Sequence, residues 1–209
     1  NTGRGYTFEE DVKTIVEAEK LGVDSVWGGE AWGADAIVPL AYIAAHTSKI
    51  KLGTAIMQVT ARRPSMTAMT GHRFILGLGM SGPQVVEGLH GERFEKPLTR
   101  MRECIEIIRM AFAGEKVEYH GEHYVMPRPG GEGKPLRVVR QSEANIPICL
   151  ATLGPKALEM TGEVADGWLG TCFDPEAADA YFDPMRKGAE RAGRNFDDFI
   201  LRVPVIAGI

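Results

Sequence analysis

RFILGLGMSGPQ, residues 73–84, bears most directly on the fold because it joins an apolar strand to a glycine-rich turn. Its glycines, Gly77, Gly79 and Gly82, have the G-x-G-x-x-G spacing of the dinucleotide-binding fingerprint. That fingerprint normally opens the first strand–helix unit, and an acidic residue follows about 20 positions later at the end of the next strand. Here at least two units precede the motif, and the acid in range, Glu103, lies inside a predicted helix. The motif therefore favours a strand with close backbone neighbours over a dinucleotide site.

Strands and helices alternate on both sides of this stretch. Runs rich in β-branched and aromatic residues begin at Asp24, Ile50 and Arg73, and their spacing of roughly 25 residues fits one strand-plus-helix unit. The alternation resumes after residue 145 with the strands IPICLA, GWLG and FILRVPVIAGI. Such a pattern predicts a parallel sheet, either doubly wound or closed into a (β/α)8 barrel.

The predicted helices carry recognisable end signals. Gly22 ends the first helix, Asp35 caps the second, and Gly114 ends a helix with an apolar stripe. That stripe consists of Met101, Ile105, Ile108 and Phe112. KVEYHGEHYV alternates around His120-Gly121 and predicts a hairpin, so we expect an insertion at about 115–135 within a single domain, 1–209.

Composition excludes several classes of function. The chain has 24 basic and 28 acidic residues and no basic run, so we expect no nucleic-acid partner. It also lacks an apolar stretch near the roughly 18–20 residues of a membrane span and a secretion signal at its start, which favours a cytoplasmic protein. The cysteines and histidines show no metal-site spacing, and we expect reduced core thiols. The cysteines are Cys104, Cys149 and Cys172.

Several stretches, in their order and spacing, resemble the bacterial luciferase-like flavin and deazaflavin oxidoreductases. They are GVDSVWGGEAWG, KLGTAIMQVTARRP, RFILGLGMSGPQVVEG, KPLTRMRECIEIIR and LGPKALEMTGEVADGW. The likeness covers nearly the whole chain and is greatest to the branch that uses coenzyme F420. It implies an α/β fold, a luciferase-like (β/α)8 TIM barrel with an insertion region. It also implies a cofactor at the C-terminal mouth of the strands.

In this family the glycine motif would form part of the cofactor site. At the C-terminal end of a barrel strand, glycine lets a flat ring or a phosphate approach the backbone closely. Gly77, Gly79, Ser81 and Gly82 would supply this surface for the cofactor. The alternative is a plain strand and turn.

A second predicted cofactor contact is the segment from Thr152 to Lys156, between a strand and a helix. Pro155 suits the first helical position, and the free amides near Gly154 form an anion site together with the helix dipole. Lys156 is electrostatically unfavourable in a first helical turn unless an anion lies nearby. We therefore expect a cofactor phosphate here, with an ordinary surface lysine as the alternative.

Two further features are implied by the resemblance alone. Family members have a non-prolyl cis peptide bond that supports the ring at the end of the third strand, and Ala55-Ile56 matches that place. Many deazaflavin relatives have an acid followed by a histidine at the end of the second strand, whereas here Glu30 is followed by Ala31. We expect Glu30 to be catalytic, by a hydrogen bond to the ring or the substrate. A solvated loop carboxylate is the alternative.

The resemblance implies an oxidoreductase that transfers a hydride between coenzyme F420 and a small organic substrate, without a metal and as a homodimer. One alternative is an FMN-dependent luciferase-like monooxygenase. Another is a flavin-binding protein without turnover, because Ala31 replaces the usual histidine.

We also expect the barrel to be incomplete in these 209 residues. A closed barrel has eight strands, whereas the pattern predicts six. Between the strands near Met57 and Arg73, only residues 64–70 remain for a helix of about 10 Å, too short to retrace a strand of roughly 17–20 Å. Residues are therefore expected to be missing at both ends and between Thr70 and Gly71.

Overall fold

A computed structural model describes residues 7–30, 34–63, 73–138, 146–171 and 173–203. Several sequence predictions fall outside these ranges. They concern Ala31, the junction of Thr70 and Gly71, Cys172, and the two ends of the chain.

Helices and short strands alternate along the chain. The helices are α1 (Phe8–Lys20), α2 (Ile37–His46), α3 (Pro83–Val86), α4 (Pro97–Phe112), α5 (Pro155–Val164) and α6 (Ala178–Arg191). The strands up to the insertion are β1 (Ser25–Gly28), β2 (Lys51–Thr54), β3 (Met57–Gln58) and β4 (Phe74–Gly79). Those of the insertion are β5 (Lys116–Val117), β6 (Tyr119–His120), β7 (Val125–Met126) and β8 (Leu136–Arg137). The last three are β9 (Ile148–Leu150), β10 (Gly167–Leu169) and β11 (Ile200–Arg202).

The main sheet is parallel and has the order β1-β2-β4-β9-β10-β11, with β3 paired to β4 beyond the end of β2. This order follows the chain without a reversal. A doubly wound sheet reverses its strand order at a switch point, so that alternative is excluded. The described strands form the open arc of a barrel.

The two faces of the sheet bury different partners, because successive side chains of a strand point to opposite faces. Leu76 and Ile148 belong to the larger core, which the sheet shares with α4 and other helices. Ile75, Cys149 and Leu169 form a separate cluster on the other face, which is the inside of the arc. Cys149 and Cys104 are buried free thiols, and burial raises the pKa of each to about 12. Both therefore stay protonated, as expected for core cysteines.

The end signals predicted for the helices are confirmed. Asp35 Oδ1 accepts the backbone N–H groups of Ile37 and Val38, at 2.7 and 2.6 Å, and so caps α2. Gly22 and Gly114 follow α1 and α4 with φ of 86° and 69°, the left-handed region that glycine adopts at low cost.

The predicted insertion is present as two antiparallel pairs, β5 with β8 and β6 with β7. Its tip is residues 121–124, later than the predicted centre at His120-Gly121, because His120 still pairs within β6. The buried Glu103 carboxylate of α4 accepts the N–H groups of Glu122, His123 and Tyr124 at 2.7–3.0 Å. The acid that the dinucleotide interpretation would have needed therefore anchors the hairpin.

Candidate functional site

The C-terminal ends of β1, β2, β4 and β9 lie at one edge of the sheet, because neighbouring parallel strands run in the same direction. The segments that follow these ends contain the predicted site residues. We call this edge the mouth, and it comprises Glu30, residues 55–58, residues 79–82 and residues 152–156. The topology thus collects positions that are up to 126 residues apart in sequence (156 − 30).

The Ala55-Ile56 peptide bond is cis, as predicted. The Ala55 N–H donates to the Gly28 carbonyl at 2.7 Å, and the Ile56 carbonyl accepts the Glu30 N–H at 3.0 Å. The Ile56 side chain lies across Gly79, where an added Cβ would be 2.2 Å from Ile56 Cδ1. Ile56 thereby gives the mouth an apolar surface.

Gly77 is required by packing within the protein. An added Cβ would lie 1.8 Å from the Thr54 carbonyl oxygen and 2.6 Å from Leu169 Cδ1. The Thr54 hydroxyl accepts the Gly77 N–H and donates to the Gly77 carbonyl, each at 2.8 Å. The sequence indicated correctly that this strand needs close backbone neighbours. At Gly77 and Gly79 those neighbours are protein atoms, and cofactor contact stays a prediction.

The turn after β4 has an unusual backbone. Ser81 is exposed and has φ 59°, in the left-handed region that non-glycine residues seldom adopt. Such conformations cluster at ligand sites. Gly82 follows and caps the start of α3. The predicted contacts at Ser81 and Gly82 therefore lie on an accessible turn of the mouth.

Thr152 is directed away from the mouth. Its hydroxyl lies 2.7 Å from the Thr161 hydroxyl of α5, and its carbonyl accepts the indole N–H of the fully buried Trp168 at 2.8 Å. Thr152 thereby joins β9 to α5 and β10, and the cofactor contact expected of it stays a prediction. The sequence did not reveal this because both partners are distant in the chain.

The start of α5 has the geometry expected of an anion site. Gly154 is the N-cap, Pro155 is the first helical residue, and Leu158 is the first to donate a helical bond, to the Gly154 carbonyl. The N–H groups of Lys156 and Ala157 consequently have no intrahelical acceptor. Lys156 is exposed, and no carboxylate of the described residues lies within ion-pair distance of it.

The Glu30 carboxylate is held on both oxygens. Its side chain is 11% exposed. Oε2 accepts the Gln58 backbone N–H at 2.9 Å, and Oε1 accepts Nε and Nη2 of Arg62 at 3.2 and 3.0 Å. Arg62 also pairs with Asp35, the cap of α2. These contacts hold the Glu30 side chain in place, and the catalytic role expected of it stays a prediction.

Gln58 belongs to the same network and was not singled out from the sequence. Its Nε2 donates to the Glu30 carbonyl at 2.6 Å, and the residue is 3% exposed. Gln58 pairs in register with Gly79, which lies on the inner face of the arc. The signal available in the sequence was its position two residues after Ile56, because alternate strand residues share a face.

A groove of about 860 Å³ lies at the opposite edge of the sheet, between the ends of α4 and α5. Asp166 is central to it and accepts the Ile148 N–H at the start of β9. Arg109 and Arg194 pair with the Asp166 carboxylate at 2.9 and 3.0 Å. These three side chains are paired with one another, and ligands of barrels bind at the other edge, so the mouth is the better candidate.

Within the described ranges, no helix is long and apolar enough to cross a lipid bilayer. The same residues contain no group of three or more His, Cys, Asp or Glu side chains placed to hold a metal ion.

A parallel sheet whose strands follow one another in chain order, with helices between them, is the architecture of a TIM-barrel protein. The sequence profile described as luciferase-like monooxygenase matches residues 1–208. The chain belongs to the luciferase-like monooxygenase family.

Relatives within this family are named for coenzyme F420. A Mycobacterium tuberculosis protein, provisionally named a coenzyme F420-dependent oxidoreductase, is 42% identical over 88% of this chain and 58% of its own length. The 5,10-methylenetetrahydromethanopterin reductase of Methanolobus tindarius is 34% identical over 85% of this chain and 55% of its own length. The solved structure of the F420-dependent tetrahydromethanopterin reductase of Methanopyrus kandleri superposes with a TM-score of 0.77 at 25% identity. The superposition covers 95% of this chain and 62% of that protein. The chain spans less than two thirds of each relative.

Proposed function

We propose that the protein is an oxidoreductase that transfers a hydride between coenzyme F420 and a small organic substrate. The family and its F420-named relatives support the cofactor class. The observation that carries the assignment to the mouth is the start of α5. There two backbone N–H groups and the Lys156 ammonium have no partner among the described residues, and they lie at the same edge of the sheet as Ile56.

The residues at the mouth fit a ring that bears a phosphate side chain. The Lys156 and Ala157 N–H groups and the Lys156 ammonium would hold the phosphate, because a helix start favours anions. The Ile56 side chain would support one face of the ring and exclude water from it, as the protein must in cofactor chemistry. The exposed Ser81–Gly82 turn would contact the ring or its side chain.

When bound, the reduced deazaflavin supplies a hydride. The chain's own contribution is to orient the ring, to keep one face dry and to hold the phosphate. Glu30 supports the mouth through Gln58 and Arg62. In this proposal the protein is a cytoplasmic homodimer. Light scattering on purified protein would test its oligomeric state.

An FMN-dependent monooxygenase is the second candidate, favoured by the description of the family. Reduced F420 and reduced FMN should each be added to full-length protein, with and without oxygen, while the absorption spectrum is followed. Substrate-dependent oxidation of F420 without oxygen supports the proposal. Oxygen-dependent oxidation of FMN with an oxygenated product supports the monooxygenase, and tight binding without turnover supports a flavin-binding protein.

A further inference from the structure

We propose that Gln58 Oε1 accepts a hydrogen bond from the imide N–H on the pyrimidine edge of a flavin-type ring. Glu30 and Arg62 are the positioning residues that hold Gln58 for this contact. The inference rests on the proposed function and deepens it. It assigns a hydrogen-bonding residue to the mouth and replaces the direct hydrogen bond to the ring or the substrate that was expected of Glu30.

The position of Gln58 places it beside the proposed ring. It pairs with Gly79 in the register of β3 and β4, so the two residues occupy the same face of the sheet. Ile56, two residues earlier, lies across Gly79 on that face. A ring supported by Ile56 would therefore present an edge to Gln58.

The Gln58 side chain has an unused acceptor. Its Oε1 is buried, and no donor among the described residues lies within hydrogen-bond distance of it. Gln58 as a whole is 3% exposed. An unpaired buried carbonyl is unfavourable, because its hydrogen bonds to water are lost without replacement. The atom therefore indicates a donor supplied from outside the described residues.

The orientation of the Gln58 side-chain amide is set by the hydrogen bonds around it. Gln58 Nε2 donates to the Glu30 carbonyl at 2.6 Å, which requires a nitrogen at that position and leaves the oxygen as the free group. The Gln58 backbone N–H is bound by Glu30 Oε2, and Arg62 neutralises the same carboxylate. The side chain consequently cannot exchange its oxygen and nitrogen without breaking this network.

A fixed acceptor selects a ligand group that donates. Flavins and 5-deazaflavins share an imide N–H at N3, which lies between two carbonyl groups on the pyrimidine edge. Only the N–H of that edge complements Gln58 Oε1. The contact therefore recognises the ring class and does not distinguish a deazaflavin from a flavin.

The test uses ligands that differ only at the imide nitrogen. FMN and 5-deaza-FMN, each with its N3-methyl derivative, are titrated into the full-length protein, and dissociation constants are measured by fluorescence. Wild-type protein should bind the N–H forms about tenfold more tightly or better, since one hydrogen bond is lost and a buried acceptor is left unpaired. Gln58→Met should remove most of this preference.

The control variant is Gln84→Met, an exposed glutamine on α3 outside the network, which should keep the preference. Glu30→Gln should reduce it in part, because the bond to Arg62 weakens while the shape is kept. The wild-type ligand pair tests the proposal even if a variant does not fold. Equal affinity of wild-type protein for the N–H and N-methyl forms, or an unchanged preference in Gln58→Met, would overturn it. Failure to bind any of the four ligands would also overturn the contact with the shared ring, whereas failure to bind coenzyme F420 itself would overturn the proposed function.

Discussion

At the scale of single residues, Gly77 of β4, just before the mouth, leaves no room for a side chain. An alanine Cβ there would lie 1.8 Å from the carbonyl oxygen of Thr54, which belongs to a neighbouring strand and cannot rotate away. Gly77→Ala should lower the free energy of unfolding by about 3 kcal/mol or more, the upper range of overpacking effects. Urea denaturation measures this.

The matched control is Gly133→Ala in the insertion, where the nearest atom to the added Cβ is Pro127 Cβ at 3.9 Å. It should be nearly neutral. A Gly77→Ala protein as stable as Gly133→Ala would show that β2 and β4 are further apart than described.

Lys156 tests the anion site. Lys156→Ala should weaken cofactor binding about tenfold, because a hydrogen bond to a charged group contributes roughly 1.5–3 kcal/mol and the exposed site favours the lower end. The melting temperature should not change. Titration of F420 by fluorescence measures the effect, with Lys134→Ala of the insertion as control. Equal F420 affinities of the two variants would show that Lys156 is an ordinary surface lysine.

Residue types alone predicted part of this site. The need for a bare backbone at Gly77 follows from the local glycine spacing, and the helix start at Pro155 follows from its proline and lysine, while anion binding there stays a prediction. The neighbours of these residues could not be predicted, because Leu169 and Thr161 reach Gly77 and Thr152 only through strand pairing and helix packing. The same limit applies to Gln58, whose partners come from another strand end.

At the scale of elements, the end of α1 is fastened to the loop before β2. The Glu19 carboxylate accepts the N–H groups of Ile50, Lys49 and Ser48, with Oε1 distances of 2.8, 2.6 and 2.9 Å. These bonds, the one from Ile50 first, hold the pKa of Glu19 below its usual value of 4.5. A carboxyl with a depressed pKa in the folded state stabilises the fold above its unfolded pKa, and this contribution is lost as the pH falls through the folded pKa.

Glu19→Gln should therefore lower the melting temperature at pH 7, and the difference from wild type should shrink as the pH falls below 4.5. Thermal unfolding followed by circular dichroism from pH 7 to pH 3 measures the trend. Glu17→Gln is the control, since Glu17 forms only an exposed pair with Lys20 and should have a small effect. A difference that stays constant over this range would mean that the Glu19 charge does not matter.

Elements were predicted best where their determinants are local. Asp35 caps α2 and Gly114 ends α4 as expected, because caps depend on residues within one turn. The hairpin was predicted around His120-Gly121, whereas its tip is residues 121–124, because Glu103 of α4 holds that segment. Local patterns give the presence of a hairpin, and tertiary contacts set its geometry.

At the scale of the whole molecule, the order of strands decides between the two folds that the alternation allowed. Alternating elements are equally compatible with a doubly wound sheet and a barrel, since both are built from the same unit. Only the pairing of β4 with β9, across the insertion, shows that the order does not reverse. The resemblance in the sequence had already favoured the barrel, and the family assignment confirms it.

The location of the cofactor can be tested over the whole molecule by hydrogen exchange. At about 100 times its dissociation constant, a ligand stabilises the fold by roughly 2.7 kcal/mol, so F420 should raise the melting temperature of full-length protein. Protection should increase at residues 55–58, 79–82 and 151–156, and it should be nearly unchanged in the hairpin of β6 and β7. Lys156→Ala should need more F420 for the same protection. The groove between α4 and α5 is the internal comparison, because it is a concavity of about 860 Å³ that lies at the other edge of the sheet. Protection concentrated around Arg109 and Asp166 would place the site at that edge and would contradict the roles proposed for Gln58 and Lys156.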